Sequence, residues 1–322
     1  MRKGFIIIAV LFMIFIVWLQ PLDCGKKEII IPKGANGHQI SDILAANHVL
    51  RSKNEFLVWL RILGKEKELR FGDYELYSYK NPIYLINELT YGHEAEVVMT
   101  IPEGLTIDET ASLLANKGLV NRDIFIHLCH DDSFIKKLGL NLSSLEGYLF
   151  PDTYFFSEAQ GEAKIIQAMV NNFKHHVGDW GAVDSDSFRT ILVVASLVEK
   201  EAKYDDERPL VAGVFFSRLK NHQPLESCAT VVYALKYSSG LDADFTNLSE
   251  KDLQTQSLYN TYLHQGLPPG PICSPGENSI KAALSPAVTD YLYFVLKGDG
   301  HHHFSRSYKE HLAAKDLYHA QN

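Results

Sequence analysis

IPKGANGHQISDILAANHVL, Ile31 to Leu50, aligns without gaps on IPEGLTIDETASLLANKGLV, Ile101 to Val120, sharing the Ile-Pro-x-Gly start and the Leu-Ala pair. A repeat of this kind is weighed first because overlooking it misassigns a whole fold. Each copy reads as strand, turn and helix. Ile29, Ile30 and Ile31 are β-branched and stop at Pro32, Gly34 makes the turn, and Ile40, Ile43 and Leu44 recur at helical spacing. In the second copy Val97, Val98 and Ile101 form the strand, and Thr110, Leu113 and Leu114 the helix face.

Toward the amino terminus, Phe5 to Leu19 (FIIIAVLFMIFIVWL) is continuously apolar, follows Arg2 and Lys3, and lacks a small-residue cleavage site after it. It reads as a retained transmembrane anchor with Arg2 and Lys3 in the cytoplasm and the rest of the chain outside. The expected localisation is therefore the cytoplasmic (inner) membrane, single-pass, with that membrane as a partner. Cys24 follows Pro21, Leu22 and Asp23 rather than small residues, which argues against lipidation. In an exported chain the two strand-turn-helix copies resemble LysM-like modules, which in many proteins contact wall glycan. Packing on each other as plain spacers is the alternative, because neither helix carries an aromatic platform.

The 322 residues, 46% hydrophobic and 22% charged, suit a globular protein of two or three packed units. With a net charge of -8 and no block of about five Lys or Arg, nucleic acid is not an expected partner. Cys129, Cys228 and Cys273 are too scattered for a zinc pattern.

Toward the carboxyl terminus, LEGYLFPDTYFF after Ser143 opens a new domain. Ile166, Met169, Val170, Phe173 and Val177 mark an amphipathic helix, SFRTILVVASLVEKEAKY a second and Arg208 to Lys220 a third. Gly266 to Gly276 (GLPPGPICSPG) must be a shaped loop, Ser279 to Leu284 a short helix, Tyr291 to Leu296 a strand, and Tyr308 to Tyr318 a closing helix. The fold class expected is α+β.

The second of these helices holds two acids, Glu199 and Glu201, on either side of Lys200. At about 3.6 residues per turn, Glu201 continues the stripe of Val194, Leu197 and Val198, whereas Glu199 follows Leu192, Ala195 and Ser196. An acid on an apolar stripe loses hydration and holds its proton to higher pH, as a general acid requires. The alternative is a solvated helix end, with Lys200, Lys203 and Asp205 around it.

VVASLVEKEAKYDDERPLVAGVFFSRL, then YNTYLHQGLPPGPICSPGENSIKAALSP, YLYFV and HHHFSRSYKEH, resembles the endolytic murein transglycosylase family, the YceG-like proteins. The resemblance extends to LEGYLFPDTY, the IPEG turn and the amino-terminal run, and so covers essentially the whole chain. Together with the apolar run, the repeat and the change of texture after Ser143, it divides the chain into an anchor at 1–22, a first LysM-like module at 26–95, a second at 96–142 and a lytic transglycosylase-like catalytic domain at 143–322. It also places the catalytic acid of the E-K-E signature on Glu201. Glycosidases usually need two carboxylates. A lytic transglycosylase needs one, which protonates the bond between N-acetylmuramic acid and N-acetylglucosamine and leaves a 1,6-anhydro end. The resemblance further implies action on peptidoglycan strands, ending the elongation of nascent ones, beside wall-synthesis proteins and without a cofactor.

Two departures stand out. Ala202 replaces the Ser or Thr that follows the acid in lytic transglycosylases, and ESCAT, Glu226 to Thr230, replaces a Gln-x-Asp-Pro-Thr pattern. Thr230 and Tyr233 survive there, and with Tyr259, Asn260, Thr261, Tyr262 and Pro269 they are the expected substrate contacts. Glu199 is read as a supporting residue or alternative acid, pairing with Arg208 or Arg218. Cys228 is given no role. The run His301, His302, His303 alternates faces on a strand, so no metal site is expected. A water-using muramidase and a non-catalytic wall-binding scaffold are the competing readings.

Overall fold

The computed structural model describes residues 25–78, 81–91, 97–157, 160–178, 185–239 and 248–319. It divides into two compact units, one from the described residues up to Val98 with Phe155–Gln160, the other from Met99–Tyr154 and Gly161 onward. In the first, β1 (Lys26–Ile31) is followed by α1 (Gly37–Ala46), α2 (Lys53–Ile62), β2 (Gly72–Tyr77) and α3 (Pro82–Tyr91). β1 and β2 pair antiparallel, with Ile29 opposite Tyr74 and Ile31 opposite Gly72. Side chains alternate across a strand. Ile29 and Ile31 therefore enter a core with Leu44, Phe56 and Leu60, while Ile30 between them is 69% exposed.

The second unit takes in the second half of β3 (Val97–Thr100), then α4 (Ile107–Ala115), α5 (Arg122–Cys129), α6 (Asp132–Lys137), the start of β4 (Thr153–Phe156) and α7 (Glu162–Val177). It continues with α8 (Asp186–Glu201), α9 (Arg208–Lys220), α10 (Cys228–Ser239), α11 (Glu277–Leu284), β5 (Tyr293–Leu296), β6 (His302–Ser305) and α12 (Tyr308–His319). The run Leu192–Val198 of α8 is wholly buried, and α9, α10 and α11 pack on this helix. The Pro-rich loop before α11 is sewn to α8 by the Ile272 amide, which donates to Ser196 Oγ at 3.1 Å. Gly147 lets LEGYLFPDTY reach that loop: its φ is +86°, and a Cβ there would lie 2.6 Å from Pro271 Cβ.

Both copies of the repeat fold as strand, glycine turn and capped helix. Gly34 and Gly104 take φ of 82° and 78°. Asn36 with Gln39, and Thr106 with Glu109, form matching capping boxes.

The larger architecture expected from the repeat is corrected. The structure is a mixed α/β arrangement whose strands, among the described residues, pair in two-stranded sheets, and two LysM-like modules are not what it shows. A strand-turn-helix signature leaves open what covers the helix. In the second copy Ile107, Ala111 and Leu114 are buried, α4 packs on α5, and the Ile107 amide donates to Glu146, all inside the larger unit.

The membrane placement is corrected too. Residues 1–22, taken as a transmembrane helix, and Cys24 lie outside the described residues. Among the described residues no helix is long and apolar enough to cross a membrane. The single-pass, membrane-anchored localisation is therefore set aside. Even α8, with its buried apolar run, has 16 residues and carries Asp186, Arg189, Glu199, Lys200 and Glu201, the pattern of a helix buried in protein.

Candidate active site

Glu201 is the last residue of α8, and the residue is partly accessible. Two features disfavour its charged form. Burial among its neighbours strips hydration and raises its pKa, and a helix C-terminus is the negative end of the macrodipole. In the opposite direction, Ser227 Oγ donates to Glu201 Oε1 at 2.6 Å, and His302 lies near enough for its charge to favour the carboxylate. Glu201 is thus an acid able to give up a proton and take it back.

Its setting is rigid. Ser227 is held by Thr261 Oγ1, which accepts the Ser227 amide at 3.1 Å, and by Thr230, whose hydroxyl donates to Ser227 O at 2.7 Å. The two threonine hydroxyls lie 2.9 Å apart. Just before Ser227, Glu226 has a φ of 51°, a left-handed conformation uncommon outside glycine. The same segment is tied down by Arg218, which donates to Pro224 O and Leu225 O at 2.9 Å each and to Glu226 Oε2 at 3.0 Å. His302 is buried in β6, with its amide 2.8 Å from Glu207 Oε1 and Nδ1 3.0 Å from Glu207 Oε2. A carboxylate at Nδ1 fixes the ring and its tautomer.

Glu199 faces elsewhere. Its Oε2 accepts from Arg208 Nη1 at 3.1 Å, Ser279 Oγ at 2.7 Å and the Gly276 amide at 3.0 Å. Of the two arginines considered for it, Arg208 is the partner, and Arg218 serves the Glu226 segment.

A sequence model of the YceG-like family matches residues 29–316. The chain belongs to the YceG-like family. A Bacillus subtilis (strain 168) relative named endolytic murein transglycosylase is 32% identical over 322 residues, covering 93% of this chain and 88% of its own. A Streptococcus pneumoniae (strain D39) protein of the same name is 28% identical, and the match spans 91% of this chain but 59% of that longer one. A solved yceG-like protein of Listeria monocytogenes superposes with a TM-score of 0.61 at 30% identity, covering 90% of this chain and 99% of its own.

Both altered segments border Glu201: Ala202 follows it in the chain, and the ESCAT segment reaches it through Ser227. Ala202 brings no hydroxyl, and Ser227, inside the altered ESCAT segment, supplies one to Glu201. Cys228 Sγ lies 3.1 Å from the Tyr262 hydroxyl, and burial raises the pKa of both groups, so the thiol stays neutral. The expected substrate contacts sort into different places. Thr230, Asn260 and Thr261 are at most 1% exposed and spend their polar atoms internally, Asn260 Nδ2 donating to Leu253 O and Thr255 O at 2.9 Å each. Tyr262 stands beside Cys228, and Pro269 is exposed. Tyr233 donates to Glu146 at 3.2 Å, with the Tyr259 ring 4.8 Å away.

Ser227, and the His302 and Glu207 pair, were not singled out as site residues by sequence. Ser227 sits within ESCAT with nothing to set it apart, and His302 stands between two other histidines. In the structure His301 stacks on Tyr204, His302 turns in to Glu207, and His303 faces Tyr318. Among the described residues, no three His, Cys, Asp or Glu side chains are grouped to hold a metal ion.

Because the Ser227 hydroxyl favours the carboxylate, Ser227→Ala should raise the pKa of Glu201 further. The alkaline limb of the kcat/KM profile should then move to higher pH, since the acid form persists longer. A limb that stays in place or moves down would show that this hydrogen bond does not govern Glu201.

Proposed function

We propose that this chain is a lytic transglycosylase that cleaves murein strands with Glu201 as its single acid. The observation that carries this reading is the contrast between Glu201 and the carboxylates around it. Glu201 is partly accessible, and burial raises its pKa above the ordinary carboxylate value. Glu199 is committed to Arg208, Glu207 to His302 and Glu226 to Arg218. A water-using glycosidase needs a second carboxylate to activate water or attack the sugar, and these three are occupied as ion-pair or hydrogen-bond partners.

In the single-acid reaction Glu201 gives its proton to the glycosidic oxygen as the bond to the muramoyl C1 breaks. The C6 hydroxyl of the same sugar closes on C1, and its proton returns to Glu201. The product is a 1,6-anhydro ring, with no water consumed and the enzyme restored. Cleavage within strands is supported by the name shared by the Bacillus and Streptococcus relatives, endolytic murein transglycosylase.

Mass spectrometry of strands digested by the purified protein tests the proposal. The new muramoyl ends should be anhydro ends, one water lighter than reducing ends. Reducing ends would assign the reaction to a muramidase, and undigested strands would favour a binding scaffold.

A further inference from the structure

In the larger unit, the amino-terminal end of α4, one face of α5, the Glu146 loop and one face of α10 line a cavity of about 500 Å³ that Glu201 does not line. This is within the usual size of a small-molecule site. Its cations are already matched: Lys236 Nζ lies 3.2 Å from Glu109 Oε1, and Arg122 Nη2 lies 2.5 Å from Asp108 Oδ1. Glu146 is a buried wall residue that accepts the Ile107 amide at 3.1 Å and the Tyr233 hydroxyl at 3.2 Å. Burial pushes its pKa up to about 8, so near neutral pH it keeps a proton and offers an O–H donor. Another wall is aromatic. Tyr237 is 69% exposed, and its ring stacks on Tyr233 at 5.8 Å and 11°.

These walls select by chemistry. Paired charges give a charged peptide stem little to bind, and a neutral acid suits an amide or hydroxyl rather than an anion. A flat, exposed ring backed by a second ring offers a stacking surface to the apolar face of a sugar. α10 also connects the cavity to the acid. Its first residue, Cys228, follows the Ser227 that holds Glu201. Tyr233 and Tyr237 lie further along the same helix, roughly 7 to 14 Å from its start at about 1.5 Å per residue.

We propose that the cavity is a second saccharide site, taking an uncharged N-acetylated pyranose of the strand that is cut at Glu201. The second half of this statement rests on the strand-cleaving reading above. The test uses the full chain carrying Glu201→Gln, so that ligand is not consumed, titrated with a chitooligosaccharide and separately with free stem peptide.

Adding Tyr237→Ala, an exposed position that should not disturb folding, is expected to weaken chitooligosaccharide binding roughly 2- to 12-fold and leave stem-peptide binding unchanged. With Glu201 intact, Tyr237→Ala should raise KM on long strands by a similar factor and leave kcat alone. Unchanged saccharide affinity and KM would overturn the proposal, as would a loss confined to the stem peptide. Tyr237-dependent saccharide binding in a protein that cuts no strands would uphold the site and count instead against the role given to Glu201.

Discussion

Glu199→Ala is expected to destabilise the larger unit by about 3 kcal/mol, the low end of the cost of leaving a buried ion-pair partner uncompensated. The side chains of Glu199 and Arg208 are each 8% exposed. One oxygen of Glu199 gathers the Arg208 guanidinium, the Ser279 hydroxyl and the Gly276 amide, and Arg208 also donates closely to Ser279. Removing the carboxylate strands the Gly276 amide and the Ser279 hydroxyl and leaves Arg208 without its buried counter-charge. Asp205 remains 2.8 Å from Arg208 Nε, but its side chain is 66% exposed and offsets only part of the loss. Thermal and urea denaturation should both report the drop, and Glu199→Gln, which keeps an acceptor oxygen, should be milder. Below the melting temperature the folded fraction should still cut strands. A variant of unchanged stability that had lost cleavage would instead make Glu199 the acid.

The legible and illegible parts of this fold have physical causes. Period-two burial at Ile29 to Ile31 and helical spacing at Ile166 to Val177 are local, and both elements form where the pattern puts them. The stripe argument singles out Glu201 because helix geometry alone sets which residues share a face. Repeat identity did not reveal what packs against each copy, because that depends on residues such as Glu146, which reaches Ile107 across 39 positions. Thr230, Asn260 and Thr261 looked like sugar contacts because they carry hydroxyls and an amide. Sequence does not show that those atoms are already spent on each other and on backbone carbonyls. Ser227 was hidden for the complementary reason: its meaning comes from Glu201, 26 residues away in the chain.

Glu201→Gln carries the larger functional consequence. Glutamine has nearly the same shape and can still accept the Ser227 hydroxyl on its amide oxygen, so folding and strand binding should persist. What it lacks is a transferable proton. General acid catalysis contributes on the order of 10² to 10⁴ in rate, and with the neighbouring carboxylates committed to Arg208, His302 and Arg218, no substitute acid stands ready. Burial favours the neutral form at this position, so an amide costs the fold little there.

The decisive measurement is the rate at which anhydro-muramoyl ends appear when purified strands are incubated with equal amounts of the native protein and Glu201→Gln, with melting temperatures recorded for both. The expected result is a fall on the order of 10² to 10⁴ at unchanged melting temperature. Release of anhydro ends at the native rate by the glutamine variant would contradict the assignment of Glu201 as the acid.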